Sequence, residues 1–148
     1  MTIGIPPHLL HGRAWLLLCS VLVIHVAEEA STGFLNVFSP LILKTGAFFG
    51  LSIVMSRYVI WLSVIATLVA VLFALTPLVY RGKRWLVKGS YILAVLMIGN
   101  ASLHLSSPLL LGYFLLGEFT SPLLIAASIW LVIRAKKQAL VLYKVTVT

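Results

Sequence analysis

The sequence predicts an all-α integral membrane protein: a four-transmembrane-helix bundle with an interfacial or re-entrant helix between spans one and two. Three observations lead there. Of the 148 residues, 61% are apolar and 9% charged, against roughly 45–50% and about 25% in soluble domains. The mean hydropathy of +1.13 means more apolar surface than so short a chain can bury, because a domain of this size leaves roughly 30% of its unfolded surface facing solvent. The solvent must then be lipid. Finally, a helix crossing ~30 Å of hydrocarbon needs about 20 residues, so four spans with their connections nearly exhaust the chain and leave one membrane domain over 1–148.

Ala14 to Ala30 is apolar apart from Ser20 and a late cluster of His25, Glu28 and Glu29, and gives the first span, 14–30. A signal peptide is the competing reading, with Arg13 as basic flank and Leu16 to Ile24 as apolar core, but adjacent glutamates suit a cleavage region poorly. The second span, 58–79, is uncharged and closes at Thr76 and Pro77 before the basic cluster Arg81, Lys83, Arg84 and Lys88. The third, 86–106, carries Asn100 and His104 in its later half, and the fourth is 119–133. Pro108 and Pro122 bracket the connection between them, where proline is expected at helix boundaries. Residues 41–55 are apolar but short, with Lys44, Gly46 and Gly50 among them, hence the interfacial or re-entrant helix; a full fifth span is the alternative on length.

The formal charge of +8 comes from eleven Lys and Arg against three acidic residues. In a membrane protein such an excess reports orientation rather than nucleic-acid binding. Four spans put Arg13, Arg81, Lys83, Arg84, Lys88, Arg134, Lys136, Lys137 and Lys144 on one side, and Lys44, Arg57 and Glu118 on the other. Both termini are then expected to be cytoplasmic. Trp15, Trp85 and Trp130 fall near the inner span ends and Trp61 near an outer one, as an aromatic belt requires. Cys19 is the sole cysteine, which excludes an intrachain disulfide and a cysteine zinc site. No P-loop or dinucleotide-binding motif is present.

Topology supplies the functional clue. Spans one and three both run outward, so His25, Glu28 and Glu29 reach a depth similar to that of Asn100 and His104. The spacings i, i+3 and i, i+4 in the first group, and i, i+4 in the second, let each group share a helix face. Facing each other, they form one polar pocket toward the outer side. A membrane histidine or asparagine often serves only as an interhelical hydrogen bond, worth about 0.6 kcal/mol on average. The glutamates are harder to explain that way, because an acidic residue near the bilayer centre costs roughly 2.5–3.5 kcal/mol on the insertion scale. That cost favours neutralising at least one of them by pairing or protonation.

His25-Val-Ala-Glu28-Glu29 resembles the signature of the HXXEE family of small bacterial membrane proteins, and Asn100-Ala-Ser-Leu-His104 resembles its companion NxxxH motif. The likeness covers most of the chain, with both motifs in the expected order and separation. The family's Tyr, Pro, Gly and Thr stretch after the second motif is loosely similar to Tyr113, Gly117, Thr120 and Pro122, with a departure around Leu115 and Leu116. The resemblance implies a bacterial inner-membrane protein; the family has no settled activity, although its His and Glu pattern suggests an enzyme.

The leading functional reading is a membrane-embedded enzyme acting on an apolar or lipid-like substrate. In one chemistry His25, His104 and one or both of Glu28 and Glu29 ligate a divalent metal such as zinc, with Asn100 as a further ligand or supporting partner, and the metal activates water for hydrolysis. In the other, a glutamate donates a proton to an alkene or epoxide while a histidine removes one, giving isomerisation or cyclisation. The alternative class is a non-enzymatic carrier, channel subunit or sensor that binds an ion, proton or small ligand with the same groups. One bundle with no paired broken helices argues against a transporter, a shortfall that homo-oligomerisation would repair.

Other residues carry blander expectations. His8 and His11 precede span one and are expected to be solvated. Glu118 is a loop acid on the pocket side, open to a gating role. Tyr113 reads as an interface anchor, and Arg57 as a snorkelling flank with a pocket glutamate or lipid phosphate as its other option. Residues 138–148 fit either a helix extension or an extended tail.

Overall fold

The computed structural model of the chain describes residues 5–32, 57–111 and 117–147. Among them are four helices and no strand: α1, Pro7–Thr32; α2, Arg57–Tyr80; α3, Arg84–Leu111; and α4, Ser121–Val147. Three stretches, Pro7–Thr32, Val59–Tyr80 and Arg84–Leu109, are long and apolar enough to cross a membrane. α4, which carries Arg134, Lys136 and Lys137, is not among them. The helix expected at 41–55, together with Tyr113 and the side chain of Arg57, lies outside the described residues.

α1 packs against α2 and α4, and α4 against α3, whereas the consecutive helices α2 and α3 barely touch. The core gathers Trp15, Leu18 and Cys19 of α1 with Val79, Leu86, Ala101, Leu124, Ala127 and Leu131. Ala14, Ala101 and Ala127 are buried, and small residues of this kind let helix backbones approach closely. α2 is the most apolar of the three candidate spans. Yet Val79 alone among its described side chains is fully buried, while Val64, Leu68 and Val71 stand about half exposed. Such a distribution fits a lipid-facing surface.

The α2–α3 turn is built by Gly82. Its φ of +68° is left-handed, a conformation glycine adopts without the Cβ penalty. The Gly82 N–H donates to the Val79 carbonyl and the Lys83 N–H to the Leu78 carbonyl, the paired bonds of a Schellman cap. Pro122 falls in the first turn of α4, where its missing N–H would have had no helical partner. Pro77 and Pro108, by contrast, lie inside α2 and α3, so Pro108 does not mark the boundary expected of it.

Two polar layers tie the helices together. In one, His11 of α1 meets Ser90 of α3 at 2.8 Å. Because the Ser90 hydroxyl donates to the Leu86 carbonyl, the His11 Nε2–H must donate to Ser90. In the other, His25, Glu29, Asn100 and His104 meet. The same order of contacts on both helices makes α1 and α3 parallel. The layers are fourteen residues apart on α1, about 21 Å at 1.5 Å per residue.

Several expectations need correcting. α1 starts seven residues before the expected span, so His11 is a helical residue with no exposure rather than a solvated one. Trp15 is a buried core residue, not a belt residue, and its indole N–H donates to the Leu72 carbonyl at 3.0 Å. α4 runs on to Val147, so of the 138–148 alternatives the described residues 138–147 take the helical extension.

Candidate metal centre

The centre forms where the C-terminal halves of α1 and α3 meet the turn that leads into α4. His25 and Glu29 sit one turn apart on α1, and this i, i+4 spacing stacks them on one face: His25 Nε2 lies 3.5 Å from Glu29 Oε1. From α3, His104 Nε2 reaches the same Glu29 oxygen at 2.9 Å. The two imidazole rings stand edge to face with centroids 5.0 Å apart. All three side chains are almost completely shielded: His25 0%, His104 3% and Glu29 6% exposed.

These three residues lie close enough together to hold a metal ion, their ligand atoms all falling within 4.8 Å of one another. The fit to zinc is chemical as well as spatial. Two imidazoles and a carboxylate are a common zinc set, and ligands at about 2.0–2.1 Å in tetrahedral array stand about 3.3 Å apart, near the 2.9 and 3.5 Å separations found here.

Asn100, half-buried one turn before His104 on α3, points its amide Nδ2 at His25 Nε2, 3.0 Å away. Glu28 diverges from its neighbour. Successive helix residues are rotated by about 100°, so Glu28 and Glu29 cannot both face one point. Glu28 instead turns to α4, its Oε1 accepting from the Phe119 N–H at 3.1 Å and its Oε2 from the Thr120 N–H at 3.0 Å and the Thr120 hydroxyl at 2.6 Å. It does not belong to the group of potential ligands. Since the Thr120 carbonyl accepts the first helical bond, from Leu124, Glu28 is a carboxylate clamped on the N-terminus of α4. There it satisfies two backbone N–H groups that have no helical acceptor and meets the positive end of the helix dipole.

Two further residues complete the centre. Thr120 Oγ1 lies 2.7 Å from His25 Nδ1. Gly117 takes φ +109°, and its missing side chain leaves room for the cluster: a Cβ there would stand 3.0 Å from His104 Cε1 and Nδ1 and 3.2 Å from Glu29 Cγ. Nothing in composition or periodicity singled out either residue; they entered only through the loose likeness at 113–122. A threonine immediately before Ser121-Pro122 was the available signal, as a side chain at a helix start. Glu118, also in this turn, is half-buried and lends its carbonyl to the Ser121 N–H.

Set beside protein-family models, curated proteins and solved structures, the chain matches none, so its chemistry must be argued from this cluster of two histidines and a glutamate.

Proposed function

We propose that the chain is a four-span integral membrane protein of the HXXEE type whose His25, Glu29 and His104 hold a divalent metal such as zinc, used to hydrolyse an apolar or lipid-like substrate. The observation carrying this reading is the convergence of three shielded groups that could each offer a ligand atom, His25, His104 and Glu29. With Asn100 Nδ2 donating to it, His25 Nε2 is unprotonated and lies 3.5 Å from Glu29 Oε1; its single lone pair, held by Asn100 here, would pass to a metal ion on binding. A bound zinc ion would supply Lewis acidity and an activated water. Glu29 contributes the anionic ligand, the two imidazoles the neutral ones, and Asn100 a donor beside the reacting position. A metal-free acid/base reading keeps one supporting contact, the 2.9 Å His104–Glu29 pair, through which a proton could be shared.

Metal content separates these chemistries. Protein purified in mild detergent should retain about one zinc per chain after dialysis, and a His25→Ala/His104→Ala double variant none. If the native protein takes up neither zinc, cobalt nor manganese on reconstitution, hydrolysis by a metal is excluded and acid/base chemistry takes its place.

The proposed orientation follows the positive-inside rule, with both termini cytoplasmic and the centre toward the outer leaflet. In a Cys19→Ala background, cysteines at positions 83 and 137 should react with an impermeant maleimide only after the membrane is opened, and one at position 118 in intact cells. The reverse pattern would invert the assigned topology.

A further inference from the structure

We propose that Glu28 and Thr120 form a relay that holds His25 in the tautomer with its proton on Nδ1, so that both are positioning residues presenting the Nε2 lone pair to the centre. The inference deepens the metal reading by assigning a task to the second glutamate, and its test is independent of whether metal binds.

The argument is an accounting of hydrogens. A threonine hydroxyl has one hydrogen to give and two lone pairs to accept with. Thr120 Oγ1 has two close partners here, Glu28 Oε2 at 2.6 Å and His25 Nδ1 at 2.7 Å. Glu28 is surrounded by donors, the N–H groups of Phe119 and Thr120, which makes its carboxylate an acceptor on both oxygens. The hydroxyl hydrogen therefore goes to Glu28, and Thr120 accepts from His25 Nδ1–H. A neutral imidazole has one N–H, so Nε2 is left as the acceptor, and Asn100 Nδ2 at 3.0 Å supplies the matching donor. Both hydrogen bonds of the ring, to Thr120 and from Asn100, agree with one tautomer.

Metal-binding histidines commonly pass their second ring N–H to a carboxylate or carbonyl, which fixes the ring and raises its basicity. In this protein a hydroxyl stands between imidazole and carboxylate, and it belongs to the residue that starts α4. The relay thus makes the ring state of His25 depend on α4 being docked against α1. Docking and tautomer share two bonds, from the Thr120 hydroxyl to Glu28 and from His25 Nδ1–H to Thr120.

Nitrogen-15 NMR of histidine-labelled full-length protein in detergent micelles, stripped of metal by a chelator, reads the tautomer directly, with His25 assigned from a His25→Gln variant. The native protein should show protonated Nδ1 and bare Nε2. Thr120→Ser keeps the hydroxyl and should preserve that pattern. Thr120→Val removes the acceptor, and Glu28→Gln presents an amide where an anion was required; both should move His25 toward the Nε2–H form. Zinc affinity, measured with a competing chelator, should fall about 10–100-fold in these two variants and recover in Thr120→Ser. A native spectrum with Nε2 protonated, alone or together with Nδ1, overturns the relay without need of any variant. So does an unchanged tautomer in a folded Thr120→Val protein. Native protein that shows the expected tautomer but binds no zinc overturns the metal reading and leaves the relay standing.

Discussion

Replacing Glu29 with glutamine should abolish zinc retention while leaving the fold intact. Glu29 Oε1 is in contact with both histidines, at 2.9 Å from His104 Nε2 and 3.5 Å from His25 Nε2. Glutamine keeps the volume, and its amide oxygen can still accept from the His104 Nε2–H, so packing is unchanged. What disappears is the carboxylate's charge at a residue 6% exposed, while the hydrogen bond from His104 is kept, so no buried partner is left unsatisfied. On the metal reading, however, zinc would lose the anionic ligand of the proposed set. Loss of a supporting partner alone costs about 10–100-fold in metal affinity, so a drop of at least about 100-fold is expected for a direct ligand. Any turnover that depends on the centre should fall by ~10²–10⁴. Chelator competition and a melting curve in detergent provide the two readouts. A variant that binds zinc as the native protein does removes Glu29 from the ligand set, and one that fails to fold makes it a structural residue.

Gly117→Ala is expected to damage both stability and the centre. At φ +109° a side chain is strained whatever the space around it, at a cost of about 1–3 kcal/mol. The space is also absent: the new methyl group would press on His104 at 3.0 Å and on Glu29 at 3.2 Å, adding overpacking of about 1–3 kcal/mol. Relief requires either that the His104 ring shift away from Glu29 or that the turn lift and pull Thr120 from His25. Both routes spoil the donor geometry. The melting temperature should fall by several degrees and zinc affinity with it. Gly99→Ala serves as control, because a Cβ there meets nothing within 4 Å and alanine gains about 1 kcal/mol of helix propensity over glycine; that variant should be as stable as the native protein or more so. If Gly117→Ala melts and binds zinc as the native protein does, the turn does not cover the centre.

The legible part of the site was what one helix determines by itself. The i, i+4 spacings of His25 with Glu29 and of Asn100 with His104 put each pair on one face, and those pairs do meet. The same helical rotation, about 100° per residue, was available to separate Glu28 from Glu29, but only with a second helix in view does it become clear which of them faces the histidines. The acceptor role of Glu28 depends on Phe119 and Thr120, more than ninety residues away. His11 is the clearest miss. Near the start of the chain, with no acid nearby, it gave no local sign of burial, since its partner Ser90 lies seventy-nine residues on.

The sequence alone determined that the chain carries helices long and apolar enough to cross a membrane, and roughly where three of them lie, because composition and unbroken apolar runs act within a single segment and need no partner. It likewise determined that acids and histidines share helix faces. Tertiary structure decided which faces meet: that α1 and α3 run parallel with His25 beside Asn100, that a glycine with positive φ roofs His104 and Glu29, and that Glu28 serves α4 rather than the metal group. The physical reason is one of range. Helix periodicity is written into the covalent chain at 1.5 Å per residue, whereas the contact between two helices depends on packing and hydrogen bonding between segments tens of residues apart. No single segment carries that information.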